Sequence, residues 1–167
     1  MKISVIIPVF NEERTISEIV SRVQAIGLQS EIIIVNDGST DGTAAQLETI
    51  DSTYENVRVF EHKKNRGKGA ALRTGLAAAT GEVIIIQDAD LEYDPRDYEK
   101  LLVPILDGRA DVVYGSRFLG GPQRVLFFWH YVGNKLITLL CDAFSNLNLT
   151  DMETGYKVFK KEVLADM

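Results

Sequence analysis

The sequence predicts an α/β fold: a mostly parallel central sheet flanked by helices, in one domain spanning residues 1–167. Two patterns carry this expectation. Short apolar runs rich in β-branched residues recur, as in strands buried on both faces. Segments with helical start signals alternate with them, which is the order of a parallel sheet with right-handed helical crossovers.

The strands are expected at ISVIIPV (3–9), EIIIV (31–35), VRVF (57–60), EVIIIQ (82–87) and DVVYG (111–115). Helices are expected over 12–26, 43–50, 68–79 and 95–106. Asn11 is placed to cap the first of these, and TISE (15–18) has capping-box spacing. Asp94 before Pro95 suits the cap of the fourth. Beyond residue 115 the alternation stops, and residues 122–147 carry one long amphipathic helical pattern. Val125, Trp129, Val132, Leu136, Leu139, Ala143 and Leu147 share one face, with Asn134, Thr138, Asp142 and Ser145 opposite. The chain then runs through TGYKVFKKEVLADM without a clear cap, which reads as a domain truncated at its C-terminal end.

Bulk composition narrows the class. A net charge of −6 opposes long-range attraction to nucleic acid. Cys141 is the only cysteine, so no internal disulfide forms and a reducing compartment is expected. The opening MKISVIIPVFNEE lacks a small-residue cleavage site and turns acidic at once, unlike a signal peptide. No stretch approaches the ~20 apolar residues of a spanning helix. The expected location is cytoplasmic, peripheral at the inner face of a membrane. Phe127, Phe128, Trp129 and Tyr131 suit either a buried helix end or a membrane interface.

The chemistry concentrates in IIIQDADLEYDP (84–95), where Asp88, Asp90, Glu92 and Asp94 follow an apolar strand. An EF-hand loop does not explain them. Tyr93 stands where that loop needs glycine, Pro95 interrupts it, and a strand rather than a helix precedes it. A divalent cation at the carboxyl end of the strand does explain them. Alternation puts Asp88 and Asp90 on one side, and ligands of open α/β sheets bind at that edge. Two carboxylates there suit Mg2+ or Mn2+, which keep waters and bridge to substrate phosphates.

The other loops of a parallel sheet open on the same edge. Asp37, at the end of the second strand, can accept N–H donors from a base edge or ribose hydroxyls, or serve as a turn residue. NRGKGAALRTG (65–75) is neither a P-loop nor GxGxxG. It is a glycine-rich helix start whose Arg66 and Lys68, with Lys63 before it, can meet phosphate or simply line a solvated turn. Arg117, after the fifth strand, can clamp a diphosphate or lie on the surface.

SVIIPVFNEE, IIIVNDGSTDGT, NRGKGAALRTG, GEVIIIQDADLEYDP and DVVYGSRF occur in the order seen in family 2 glycosyltransferases. With DMETGYKVFKKEVL added, the chain most resembles the dolichol-phosphate mannosyltransferases and other polyprenyl-phosphate glycosyltransferases. That resemblance implies the GT-A fold, which is Rossmann-like, and inverting transfer from a GDP- or UDP-sugar. It implies Pro8, Phe10 and Glu12 in the nucleotide pocket, with Val35 and Asp37 at base and ribose; the glycine-rich helix start adds Lys68 to the expected nucleotide site. It implies Asp88, Ala89 and Asp90 at the metal and diphosphate, and Arg117, with Arg124 as a looser match, near the phosphates. Glu92 stands where lipid-phosphate enzymes often carry Gln, and would join Asp88 and Asp90 as a metal ligand.

The acceptor remains divided between two chemistries. A polyprenyl phosphate is already anionic near neutral pH, its second pKa being about 6, and needs cationic positioning. A glycan hydroxyl needs a general base, for which Asp151 and Glu153 are the candidates, although loop carboxylates are the plainer reading. Two rivals of other classes are a sugar nucleotidyltransferase and a non-catalytic nucleotide-sugar-binding domain. The first is disfavoured because the loop after strand one, FNEERT, begins acidic rather than glycine-rich and basic.

Overall fold

A computed structural model describes residues 1–116 and 128–164. Its strands are β1 (Ile3–Val9), β2 (Ser30–Asn36), β3 (Val57–Glu61), β4 (Val83–Ile86), β5 (Val112–Tyr114) and β6 (Lys157–Lys160). Its α-helices are α1 (Ile16–Ala25), α2 (Thr43–Thr53), α3 (Lys68–Ala78), α4 (Tyr98–Leu106) and α5 (Phe128–Ser145). The strands form one sheet in the order β3-β2-β1-β4-β6-β5. β3, β2, β1 and β4 run parallel, and β6 runs antiparallel to both of its neighbours.

Burial on both faces explains the apolar runs. Val5, Ile7, Ile32, Ile34 and Ile85 pack with Ile16, Ile19 and Val20 of α1, Leu47 of α2 and Leu101, Leu102 and Ile105 of α4. On the other face Ile6, Ile33, Val35, Ile84 and Ile86 pack under Ala71 of α3. A fully buried side chain of this size contributes about 1.5–3 kcal/mol, so these strands have little freedom to slip register.

All five expected strands form, and β6 is an addition. KVFK has no apolar run to mark it. Val158 alone is fully buried, between lysines that keep the segment polar at both ends. Because β6 runs backwards, its first residue arrives at the edge where the parallel strands end.

The first helix begins later than expected. Thr15 is its N-cap but makes no side-chain cap bond, and its hydroxyl donates to Glu12 instead (2.5 Å), so the capping box does not form. Asn11 is not a cap either. It turns the chain with φ 58°, and its side-chain oxygen accepts the N–H of Thr40 (2.8 Å). The Asp94 cap does form: its carboxylate accepts the N–H of Arg96 (3.0 Å) with Pro95 opening a short 3-10 turn.

The long helix is inside out relative to the usual rule that an apolar stripe faces the core. Among its described side chains, Asn134 and Thr138 are the buried ones. The apolar side faces outward, with Trp129 77% and Phe144 90% exposed and Leu136 and Leu139 also open. Its polar side is drawn inward by the loop before β6. The Asn134 side-chain amide donates to Asp151 (3.0 Å) and Glu153 (2.9 Å), and Thr138 Oγ1 accepts the N–H of Met152 (3.3 Å). Arg117, Arg124 and Phe127, and the start of the expected helix at 122, lie outside the described residues.

Candidate active site

A cleft of about 170 Å³ opens at the carboxyl edge of the sheet. The loop after β1 contributes Pro8, Phe10 and Glu12, the end of β2 Asp37, the start of α3 Lys68, and the end of β4 Asp88, Ala89 and Asp90. Parallel strands make this convergence: each loop leaves the sheet in the same direction. A larger hollow of about 1090 Å³ lies at the other end of the sheet, against Met1, Glu82 and Leu164. Its walls are mainly apolar and none of the expected site residues lines it, so the chemistry belongs to the smaller cleft.

Asp37 organises the cleft from beneath. It is only 2% exposed, and the N–H donors expected from a ligand come from the chain itself. Its carboxylate accepts the backbone N–H of Arg66 (3.0 Å) and Gly67 (2.7 Å), and pairs with His62 Nδ1 (2.6 Å). His62 Nε2 in turn meets Thr74 Oγ1 of α3 (2.9 Å). Burial alone would raise the Asp37 pKa, but the bonds from His62, Arg66 and Gly67 hold it below the usual carboxylate value. The same clamp sets Lys68 at the mouth, since Gly67 is the N-cap of α3. Gly38, with φ 72°, lets the two loops cross: an added Cβ would stand 2.5 Å from the Lys64 carbonyl carbon.

Asp88 and Asp90 line the same cleft, and Asp88 already holds a cation there, the Lys68 ammonium at 2.5 Å. A carboxylate pair so placed fits Mg2+ or Mn2+, which take one or two carboxylates and complete their shell with water and phosphate. Glu92 does not join them. Leu91 turns the chain with φ 62°, which breaks the strand alternation, and Glu92 is exposed, donating its N–H back to Asp90 (3.0 Å). Among the described residues no group of three or more His, Cys, Asp or Glu could hold a metal ion.

A buried tyrosine cluster fixes this edge. Gln87 Oε1 accepts the hydroxyls of Tyr98 (2.8 Å) and Tyr156 (3.1 Å), while its amide donates to the Asp88 carbonyl (2.9 Å). Burial pushes both phenols up, so they remain neutral donors. The Tyr93 and Tyr156 rings pack tilted, with centroids 4.7 Å apart, and the Tyr93 hydroxyl accepts the N–H of Gly155 (2.8 Å). An added Cβ on Gly155 would run into the Asp88 carboxylate and the Tyr93 ring.

Other expected residues fall elsewhere. Val35 is fully buried under α3 and does not line the cleft. Asp151 is 1% exposed, bonded to Asn134, and likewise absent from the cleft wall. His62, Gln87, Asn134, Gly155, Tyr156 and Lys157 were not foreseen. His62 stands one residue past β3, where it could have been sought as a partner for Asp37. The last three depend on β6, which carries no strand signal of its own.

The Glycosyl transferase family 2 profile matches residues 4–167. A dolichol-phosphate mannosyltransferase of Pyrococcus furiosus is 37% identical over 98% of this chain and 47% of its own length. A dodecaprenyl-phosphate galacturonate synthase of Rhizobium johnstonii is 31% identical over 98% of this chain and 49% of its own length. The chain therefore spans about half the length of these relatives. Glucosyl-3-phosphoglycerate synthase of Mycobacterium tuberculosis, solved with Mn2+, UDP and phosphoglyceric acid, superposes with TM-score 0.74 at 25% identity, covering 98% of this chain and 57% of its own. A mannosyltransferase of Pyrobaculum calidifontis, solved with GDP-Man and Mn2+, gives 0.70 at 25% identity over 98% and 46%. The fold is thus the GT-A fold, and the chain belongs to glycosyl transferase family 2.

Proposed function

We propose that this chain carries the donor site of an inverting, metal-dependent glycosyltransferase that moves a sugar from a UDP- or GDP-sugar to a polyprenyl-type phosphate. The observation that carries the reading is the gathering of Pro8, Phe10, Glu12, Lys68, Asp88 and Asp90 around one cleft. Solved neighbours that hold UDP with Mn2+, or GDP-Man with Mn2+, support it.

In this reading Phe10, 44% exposed, offers a ring face for the base, and Pro8 and Glu12 complete the wall. Asp88 and Asp90 hold the divalent cation, which when bound neutralises charge growing on the departing diphosphate. Lys68 leaves Asp88 for that diphosphate, and the Asp37 clamp keeps Lys68 at the rim. Arg117 adds a second phosphate contact. The acceptor oxygen attacks the anomeric carbon, the bond from that carbon to the diphosphate oxygen breaks, and nucleoside diphosphate leaves.

The burial of Asp151 removes one of the two candidate bases for a glycan hydroxyl; the other, Glu153, is exposed and also bonded by Asn134, so the relatives' acceptors weigh more in the choice of a phosphate. A hydroxyl needs a base within reach, and Asp151 is enclosed and bonded to Asn134. A phosphomonoester needs none. Relatives named for dolichol and dodecaprenyl phosphate agree with that choice.

The outward apolar side of α5 supports peripheral contact with the membrane that would supply such an acceptor. Among the described residues no helix is long and apolar enough to cross a membrane. Flotation with liposomes should carry the chain, and Trp129→Ser with Phe144→Ser should leave it at the bottom.

The donor reading is tested by thermal shift with UDP or GDP, with and without Mn2+. At a hundred times Kd one nucleotide should stabilise the chain by about 2.7 kcal/mol in Mn2+. Asp88→Asn with Asp90→Asn should abolish that shift, and persistence of the shift in the double variant sinks the assignment.

A further inference from the structure

We propose that Lys157 seats the phosphate group of the acceptor; this deepens the lipid-phosphate reading above and rests on it.

Lys157 opens β6 at the carboxyl edge of the sheet, in register with Ile86 of β4 and Tyr114 of β5. Its neighbour Val158 packs with the α4 side and Phe159 with the α3 side. Alternation therefore puts Lys157 on the α3 face, the face from which Lys68 enters. The side chain is half-buried, and its ammonium lies 5.2 Å from the centre of the Tyr114 ring. Among the described residues it makes no hydrogen bond and no ion pair. A partly desolvated cation without an acceptor is costly, and an incoming anion removes that cost.

The nearby charges point the same way. Burial lowers the Lys157 pKa, Lys68 lowers it further, and Asp88 and Asp151 pull it back. Both carboxylates are engaged elsewhere: Asp88 with Lys68 at 2.5 Å, Asp151 with Asn134 at 3.0 Å. Among the described residues Lys157 is thus a half-buried cation of this edge whose ammonium contacts the Tyr114 ring.

Position separates it from the donor. The cleft is lined from β1, β2, β4 and α3, and Lys157 is not in its wall. It stands on the far side of β4, so Asp88 lies between the nucleotide cleft and the β6–β5 side. An acceptor must reach the anomeric carbon from a side the nucleotide leaves open, which in this proposal is the β6 side of β4. The loop leading into β6 is held by Asn134 of α5, whose opposite side is the exposed apolar surface. That apolar surface lies on the side of α5 turned away from the loop.

The test is calorimetric binding of farnesyl phosphate, with farnesol and inorganic phosphate as controls, in the presence of Mn2+ and the preferred nucleoside diphosphate. Lys157→Met should weaken farnesyl phosphate roughly 10- to 100-fold, the worth of one charge-assisted hydrogen bond. Its nucleotide affinity should fall much less, because Lys157 is not in the cleft wall even though its charge is felt at Lys68 and Asp88. Lys157→Arg should recover most of the loss, and circular dichroism checks that both variants fold. Unchanged farnesyl phosphate binding in Lys157→Met overturns the seat while leaving the acceptor reading intact. An equal loss of nucleotide affinity assigns Lys157 to the donor and also overturns it. Wild-type chain that binds farnesyl phosphate no better than farnesol overturns both the acceptor reading and the seat.

Discussion

Asp37→Ala is the sharpest perturbation of the site's architecture, because a carboxylate 2% exposed holds three donors from another loop. The His62 bond is buried and short at 2.6 Å, and losing it strands an enclosed imidazole at about 2 kcal/mol. The Arg66 and Gly67 amides belong to exposed residues, so water replaces part of what they lose, and about 1 kcal/mol each is the fair figure. The sum is roughly 4 kcal/mol, which for a domain of this size lowers Tm by about 8–16 °C. Asp37→Asn keeps one acceptor oxygen and should fall between the two.

The pH dependence has a definite sign. The folded Asp37 pKa is depressed despite burial, so its contribution is complete above the unfolded carboxylate pKa. It is lost as pH falls through the lower, folded value. Thermal melts of wild type and Asp37→Ala at descending pH should therefore converge in acid. A Tm change under about 2 °C at pH 7, or a gap that persists unchanged in acid, would refute the clamp. A linked readout is nucleotide affinity, which should drop because the freed loop no longer presents Lys68.

Gly155→Ala should impair Mn2+-dependent nucleotide binding, since the new methyl collides with the Asp88 carboxylate, and calorimetry reads it directly. Tyr156→Phe removes one donor to Gln87 and should cost about 1 kcal/mol by urea titration, whereas Gln87→Leu strands two buried hydroxyls and should cost about 2–4. Asn134→Leu should destabilise by about 1–3 kcal/mol, by removing the amide that bonds both Asp151 and Glu153, while Leu136→Lys on the opposite side should stay within about 0.5. The reverse ranking in melts would mean α5 packs by its apolar side. Glu31, pulled down to about 2 by Ser4 and Thr80 against the upward push of burial, stabilises above its unfolded pKa. That contribution fades as pH falls through about 2, and Glu31→Gln should remove this acid dependence from the melts.

The sequence by itself determined the parallel core and the donor edge. Runs such as ISVIIPV and EVIIIQ declare strands buried on both faces, because only such strands are apolar without alternation. Once strands alternate with helices, topology sends every following loop to one edge, so Pro8, Asp37, Lys68 and Asp88 could be gathered before any distance was known. Only the tertiary structure decided what those loops hold and which way the last elements face. Glu92 keeps the carboxylate spacing, yet a left-handed Leu91 takes it out of line. Asp37 has the look of a ligand residue, but its donors come from residues about thirty positions away. α5 shows an apolar stripe, yet two carboxylates before β6 turn its polar side inward. Periodicity records which residues can share a side. Long-range hydrogen bonds settle which side is satisfied by the fold, and no local window of sequence contains both partners of such a bond.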